Sequence, residues 1–517
     1  MRKVVLHPFL FAAYPVIALY AFNMGQSRLA DALRAFVLLP LLAGIVLVLL
    51  KLILKDWGRA GLLTSLGFLL FFSYGHLVNR LSTTRFGPFL GQQPWFIAAA
   101  YGLIFVIGVY VIAFRMKNSG ELTLVLNGMS IVLLVLPVYS IMLFSYANRA
   151  PSQTSFLPTN SEPTQTITPG PMLPDIYYII PDGYARQDVL NDLYELDYSA
   201  FINYLESKGF YVADSSHSNY DQTALSVASS LNFDYLDAYA ATLGKESQNR
   251  DPLYNAIDHS RLRQALEQAG YTFVDVNSGN PITQIKDAPY YLTPSRSLLV
   301  NYFEREILAG SIIGTVVESD ITEQYRARLL NEFELGADLS WIASPKFVFI
   351  HIVAPHPPFV FEAKGNPVTP PELVMRDGSR YPGTREDYLK GYREQLLFIN
   401  HQLEFMIDSI LSHSATPPVI VLQADHGPGA YLDWSSADNS CIIERTAILN
   451  AYLLPEVNED VLYPEITPVN TFRLVLNTYL GTDYPLLKDS TYMPTWDMPY
   501  DFIDVTEKDE SCTVLIK

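Results

Sequence analysis

Five apolar runs fill the first 150 residues: Val4 to Phe22, Ala35 to Leu54, Ala60 to Val78, Trp95 to Phe114 and Leu122 to Tyr146. Each is near the roughly 20 residues that cross a bilayer core. Backbone amides in hydrocarbon must be paired within their own segment, so runs of this length predict membrane helices. The first run is followed by four more and lacks a small-residue cleavage site, which marks it as a retained span rather than a signal peptide. With the N-terminus inside, Arg2, Lys3, Lys51, Lys55, Arg59, Arg115 and Lys117 fall on the cytoplasmic side and Arg28, Arg34, Arg80, Arg85 and Arg149 outside. This bias and the odd helix number both put the following domain outside the cytoplasm. His7 and His76 lie in or beside spans without charged partners in sequence and are read as interfacial or helix-packing groups.

The remainder of the 517 residues lives in a different solvent. It carries most of the charge behind the formal −18. An acidic domain is a poor nucleic-acid surface, since phosphate backbones demand clustered Lys and Arg. From Asn148 to Pro174 the chain is rich in Pro, Ser and Thr and has no hydrophobic periodicity, the composition of an extended tether. The organisation is therefore a membrane domain at 1–147, a linker at 148–174 and an extracytoplasmic domain at 175–517. Two cysteines, Cys441 and Cys512, are compatible with a disulfide or with two separate thiols.

Beyond the linker, short apolar runs alternate with helical patterns: Ile176 to Ile180, Thr272 to Val276, Phe347 to Ile352, Val419 to Asp425 and Ala447 to Leu454. Continuous apolar strands are buried on both faces, with helices such as Arg261 to Ala269 and Tyr388 to Leu411 covering them. The expected fold is an α/β domain with a central, mostly parallel sheet flanked by helices. Tyr392, Leu396, Ile399 and Leu403 mark the core face of the long helix, and His401 is read as structural. Ligands of open α/β sheets gather beyond the carboxyl ends of strands. Three such ends carry polar groups: Asp182-Gly183, the loop from His351 through Pro355-His356-Pro357, and Asp425-His426-Gly427.

Asp425 and His426 offer a carboxylate oxygen and an imidazole, donors that suit Zn²⁺ or Mn²⁺. Thr223 precedes an expected helix, Ala224 to Leu231, whose amino end would favour an oxyanion, so its hydroxyl is the candidate nucleophile. In isolation the same threonine would be an ordinary N-cap. Tyr184, Arg186, His217, Asn219 and Arg445 lie near these motifs, where surface or loop-stabilising roles are the commoner use.

The order of parts, an Asp-Gly after the first strand, Thr223-Ala224-Leu225-Ser226-Val227 opening a helix, His356 in Pro-His-Pro-Pro-Phe, and a late Asp425-His426-Gly427, resembles the alkaline phosphatase and sulfatase superfamily. With several helices and a linker ahead of it, the layout is similar to the membrane-anchored lipoteichoic acid synthase and phosphoethanolamine transferase group. That resemblance implies one divalent ion held by Asp182, Thr223, Asp425 and His426, with Thr223 also the nucleophile. It implies that His356 faces the substrate, with His351 and Arg445 as further substrate-binding candidates. Asp182 stands where parts of that group carry Glu. The Cys-x-Pro-x-Arg-like segment of sulfatases is missing, which disfavours sulfate ester hydrolysis. His426 is the last histidine in the chain, which leaves no late histidine for a second metal. The implied function is transfer of a phosphate-linked group from a phospholipid or lipid-linked donor to an envelope lipid or glycopolymer. A phosphodiesterase of the same superfamily is the alternative, and a catalytically silent glycan- or partner-binding membrane protein the second.

Overall fold

The computed structural model describes residues 4–82, 94–148, 173–293, 300–370, 372–457 and 461–508, together with Gln165, Ile167 and Cys512. Most of the expected linker lies outside the described residues, as do Arg2, Lys3, Arg85 and Arg149. The chain divides into two units, Met1–Arg149 with Leu299–Ile321, and Ala150–Leu298 with Thr322–Lys517.

The first unit is helical. Among the described residues, four helices are long and apolar enough to cross a membrane: Leu29–Leu54, Trp57–Val78, Phe96–Arg115 and Gly120–Ala147. The first expected span is a helix at His7–Phe22 of 16 residues. At 1.5 Å per residue that is about 24 Å, short of a hydrocarbon core of about 30 Å. Leu41, Ile53, Val132, Leu136 and Met142 are exposed, a surface suited to lipid rather than water. Polar side chains tie the helices internally. Asn127 accepts the Leu6 and His7 amides on its Oδ1, capping the start of the first helix, and His7 Nδ1 lies 2.5 Å from Ser65 Oγ. His7 is thus a buried packing group, while His76 is exposed.

Leu299–Ile321 joins this unit although it lies in sequence between the two stretches of the second, Ala150–Leu298 and Thr322–Lys517. Its helix, Tyr302–Ala309, opens on a capping box between Asn301 and Glu304. Phe303 and Ile307, one turn apart, are buried with Val16, Ala32 and Ala35. Burial of two such side chains is worth about 1.5–3 kcal/mol each. Arg34 clasps Glu304 with two nitrogens.

The second unit is built on a seven-stranded sheet in the order β2-β7-β6-β1-β5-β3-β4. The strands are β1 Ile176–Pro181, β2 Tyr211–Val212, β3 Thr272–Val276, β4 Tyr290–Leu292, β5 Lys346–Ile352, β6 Val419–Gln423 and β7 Asn450–Leu453. Only β7 opposes the others: β1, β3, β4, β5 and β6 pair in parallel, and β2 and β6 each run antiparallel to β7. Alternation along β1 sends Tyr177 and Ile179 into one core and Ile176, Tyr178 and Ile180 into the other. Both faces are therefore buried, which is why the strands read as unbroken apolar runs. The helix Arg385–His413 covers one face with Tyr392, Leu396, Ile399 and Leu403. The helix Thr223–Asn232 covers the other with Leu225, Ala228 and Leu231. Because β1 sits between β5 and β6, the loops following these three strands meet at one edge of the sheet.

Candidate metal and phosphoryl site

Asp182 follows β1 directly. Its amide donates to Ile352 O at 2.9 Å and its carbonyl accepts the His356 amide at 3.0 Å, so the ends of β1 and β5 are stitched together. Gly183 has a φ of +74°, a conformation few side chains tolerate, and donates its amide to Asp425 Oδ1 at 3.2 Å. Asp425 Oδ1 also accepts the His426 amide at 3.0 Å. One oxygen of each carboxylate remains: Asp182 Oδ1 and Asp425 Oδ2 are buried and have no hydrogen-bond partner. His426 Nε2 lies 3.6 Å from the first and 3.3 Å from the second.

Thr223 completes the cluster. It is the first residue of its helix rather than the cap, which is Gln222, and no side chain caps this end. The threonine hydroxyl is thereby released from local duty and sits 3.1 Å from His426 Nε2. His426 Nδ1 is 2.9 Å from Gly427 O, a geometry in which the Nδ1 proton is donated and the Nε2 lone pair faces the cluster. Asp182, Asp425 and His426 each present a ligand atom, all within 4.8 Å of one another. Tetrahedral zinc with bonds of about 2.0–2.1 Å requires ligand-to-ligand separations of about 3.3 Å. Two orphaned carboxylate oxygens and an imidazole lone pair at 3.3–3.6 Å fit a divalent ion. Burial alone would raise the Asp182 pKa, but His356, His351 and His426 hold it well below the usual carboxylate range. Burial, and then the Arg445 charge, push His426 downward, keeping it neutral as a ligand must be.

His356 lines the same site. Its Nδ1 donates to Pro357 O at 2.7 Å, and its Nε2 lies 3.5 Å from Asp377 Oδ2. Burial would depress this imidazole, yet the charges of Asp182 and Asp377 raise it to about 9. Asp377 escaped the sequence reading because Arg376-Asp377-Gly378 resembles any polar turn. Its carboxylate accepts Arg445 Nη1 at 2.7 Å, and Arg445, followed by His356, holds it ionised against the cost of burial.

His351 and Arg445, the further substrate-binding candidates, are each about 1% exposed. His351 Nε2 is 3.4 Å from Asp182 Oδ2, and its Nδ1 is 2.7 Å from Thr283 Oγ1, so it backs a carboxylate of the cluster. Arg445 donates to Asp221 O, Gly427 O and Asp377 Oδ2 at 2.8, 3.0 and 2.7 Å. One guanidinium thus spans the approach to Thr223, the loop after His426 and the partner of His356. Gly427 is required here: a Cβ would stand 2.0 Å from Glu444 O. Of the other neighbours, Tyr184 bonds Asn400, Arg186 pairs with Asp188, and Asn219 reaches Thr467 and Ser490. These hold loops. His401 is exposed on its helix, next to Glu404.

No protein-family profile matches the sequence, and no curated protein matches it. Among solved structures, the C-terminal periplasmic domain of EptC from Escherichia coli is similar with a TM-score of 0.43 at 12% identity, over 66% of this chain and 96% of that one. The integral membrane lipooligosaccharide phosphoethanolamine transferase EptA from Neisseria meningitidis has a TM-score of 0.40 at 15% identity and covers 92% of this chain and 94% of its own. BT1596, a 2-O GAG sulfatase, has a TM-score of 0.37 at 11% identity, over 61% and 72%.

Proposed function

We propose that this chain is a membrane-bound, metal-dependent phosphotransferase that works through Thr223. The observation that carries the reading is the convergence of Asp182 Oδ1, Asp425 Oδ2 and His426 Nε2 on a threonine hydroxyl freed from capping. One divalent ion, Zn or Mn, would be held by these groups with Thr223; it would lower the hydroxyl pKa and offset phosphoryl charge. Thr223 Oγ1 attacks the phosphorus of a phosphodiester at the amino end of its helix, where free amides favour the anion. The Thr223 hydroxyl proton passes to solvent as the Thr223–phosphorus bond forms and the bond to the departing oxygen breaks, and His356, protonated at neutral pH, gives its proton to that oxygen. An acceptor hydroxyl, its proton taken by the now neutral His356, then displaces Thr223, which regains a proton from solvent; if the acceptor is water, the same site is a phosphodiesterase. Arg445 and His351 keep the reacting groups in register from behind.

The helical unit, with four helices among the described residues long and apolar enough to cross a membrane, supports a lipid donor and an envelope lipid or glycopolymer acceptor, and the proposed orientation has the α/β domain outside the cytoplasm. The bond between Cys441 and Cys512 agrees with an oxidising compartment. The test is turnover of a chromogenic phosphodiester by the full-length protein in detergent, with and without chelator, against Thr223→Ala. Metal-dependent release that the variant lacks supports the reading. Equal release by both proteins, or release indifferent to chelation, overturns it.

A further inference from the structure

Beside the cluster stands an aromatic and cationic wall with no part in the chemistry above. Arg250 and Arg380 both place their guanidinium carbons 4.7 Å from the centroid of Trp496. The indole is held firmly from other directions. Trp434 packs edge-on at 4.8 Å, Trp496 N donates to Trp434 O at 2.9 Å, and Arg250 Nη2 donates to Trp496 O at 2.6 Å. The wall also borders the reacting groups at both ends. Arg250 Nη2 donates to Gln222 Oε1 at 3.0 Å, and Gln222 is the residue before Thr223. Arg380 N donates to Asp377 O at 3.1 Å, and Asp377 is the carboxylate beside His356.

The two arginines differ in what they can do. Arg250 is buried and occupied by the protein, a staple. Arg380 keeps 40% of its side chain exposed, and its carboxylate contact is Asp497, 4.0 Å away and 78% exposed. An ion pair that long and that wet holds little. Its guanidinium is nonetheless laid over a fixed ring, an arrangement that pre-organises the planar donor fork. Burial lowers the pKa of Arg380, the charges of Asp497 and Asp377 oppose that, and Arg376 adds to the lowering. Trp496 Nε1 adds a buried donor with no acceptor.

We propose that Arg380 and Trp496 form a subsite for an anionic group of the substrate, a carboxylate or phosphate carried next to the phosphoryl group that is transferred. The proposal rests on the phosphotransfer reading and narrows its substrate class. A donor or acceptor with a second negative charge is favoured, and one with an ammonium at this position is disfavoured. Arg380 supplies the paired N–H donors, and Trp496 fixes their plane.

The experiment measures binding by titration calorimetry to the full-length Thr223→Ala protein, so that turnover is not needed. Two probe pairs separate the sources of the anion. Methyl and carboxymethyl p-nitrophenyl phosphate report a charge on the donor; glycerol and glycerate report one on the acceptor. The charged member of one pair is expected to bind about tenfold more tightly, a modest value for a half-exposed cation. That preference should fall to near unity in Thr223→Ala/Arg380→Ala and persist in part in Thr223→Ala/Arg380→Lys. Thermal melts of both double variants confirm folding, which an exposed arginine should not disturb. Equal binding within both pairs, or a preference that survives Arg380→Ala, overturns the subsite. Absence of phosphodiester turnover by the wild type would instead count against the phosphotransfer reading, with these affinities still measurable.

Discussion

Replacing Gly427 by alanine tests whether the loop after the proposed ligand pair is as tightly constrained as it looks. The new Cβ would lie 2.0 Å from Glu444 O, 3.1 Å from Glu444 C and 3.2 Å from Arg445 C. All three are backbone atoms, so no side chain can swing aside. Restoring ordinary contact at 3.4 Å means opening the two segments by about 1.4 Å. That movement breaks the 2.7 Å bond from Gly427 N to Arg445 O. A buried amide left unpaired costs about 1–3 kcal/mol, and the displaced backbone adds a similar amount, for a total of about 2–6 kcal/mol. The same movement shifts His426, whereas a metal site tolerates ligand displacements of about 0.2 Å. Full-length Gly427→Ala should therefore melt lower than wild type and bind Zn²⁺ at least about 100-fold more weakly by competition titration. Wild-type zinc affinity in the variant would refute the geometry from which this is reasoned.

Four further outcomes follow from the same contacts. Thr223→Ala should abolish turnover while changing stability by less than about 1 kcal/mol, because the hydroxyl caps nothing; a large drop in melting temperature would show that it does. His351→Ala should weaken metal binding about 10- to 100-fold through Asp182, while His356→Ala should reduce turnover with metal affinity little changed; the reverse pattern in a zinc titration would exchange their roles. Asp275 is buried, and its pKa is raised to about 8 above an unfolded value near 3.8, so the wild type loses stability as pH rises toward 8. Melting temperatures of Asp275→Asn relative to wild type should thus improve from pH 5 to pH 8.5 by the equivalent of a few kcal/mol, and a constant difference would contradict the burial argument. The Cys441–Cys512 bond spans a separation of 71 residues, and loop entropy values that at about 4 kcal/mol, so reduction should lower the melting temperature clearly; an unchanged melt would show that the tail adds nothing.

The sheet was legible because its chemistry is local. Runs such as Ile176 to Ile180 and Val419 to Gln423 are apolar on both faces, and only a doubly covered strand calls for that. β2 and β4 were not expected: two and three residues long, and only partly buried, they carry too little pattern to read. The grouping of Asp182, Asp425 and His426 was legible because each follows the end of a strand. The site was opaque where a residue gains its role from distant partners. Asp377 matters through His356 and Arg445, neither of which is near it in sequence. Arg445 looked like a pocket residue from its neighbourhood, but tertiary packing turned it inward onto two carbonyls and a carboxylate. The return of Tyr302–Ala309 to the helical unit was hidden for another reason. An eight-residue amphipathic helix states that it has an apolar face, not which unit receives it.

The central claim is that Thr223 carries a covalent phosphoryl intermediate. The direct measurement is acid quenching of the metal-loaded full-length protein during turnover of a phosphodiester, followed by peptide mass spectrometry. A phosphorylated or alkyl-phosphorylated Thr223, lost on chelation and lost in Asp425→Asn, is the predicted result. Steady turnover with Thr223 unmodified throughout, or with the adduct on another residue, would contradict the account.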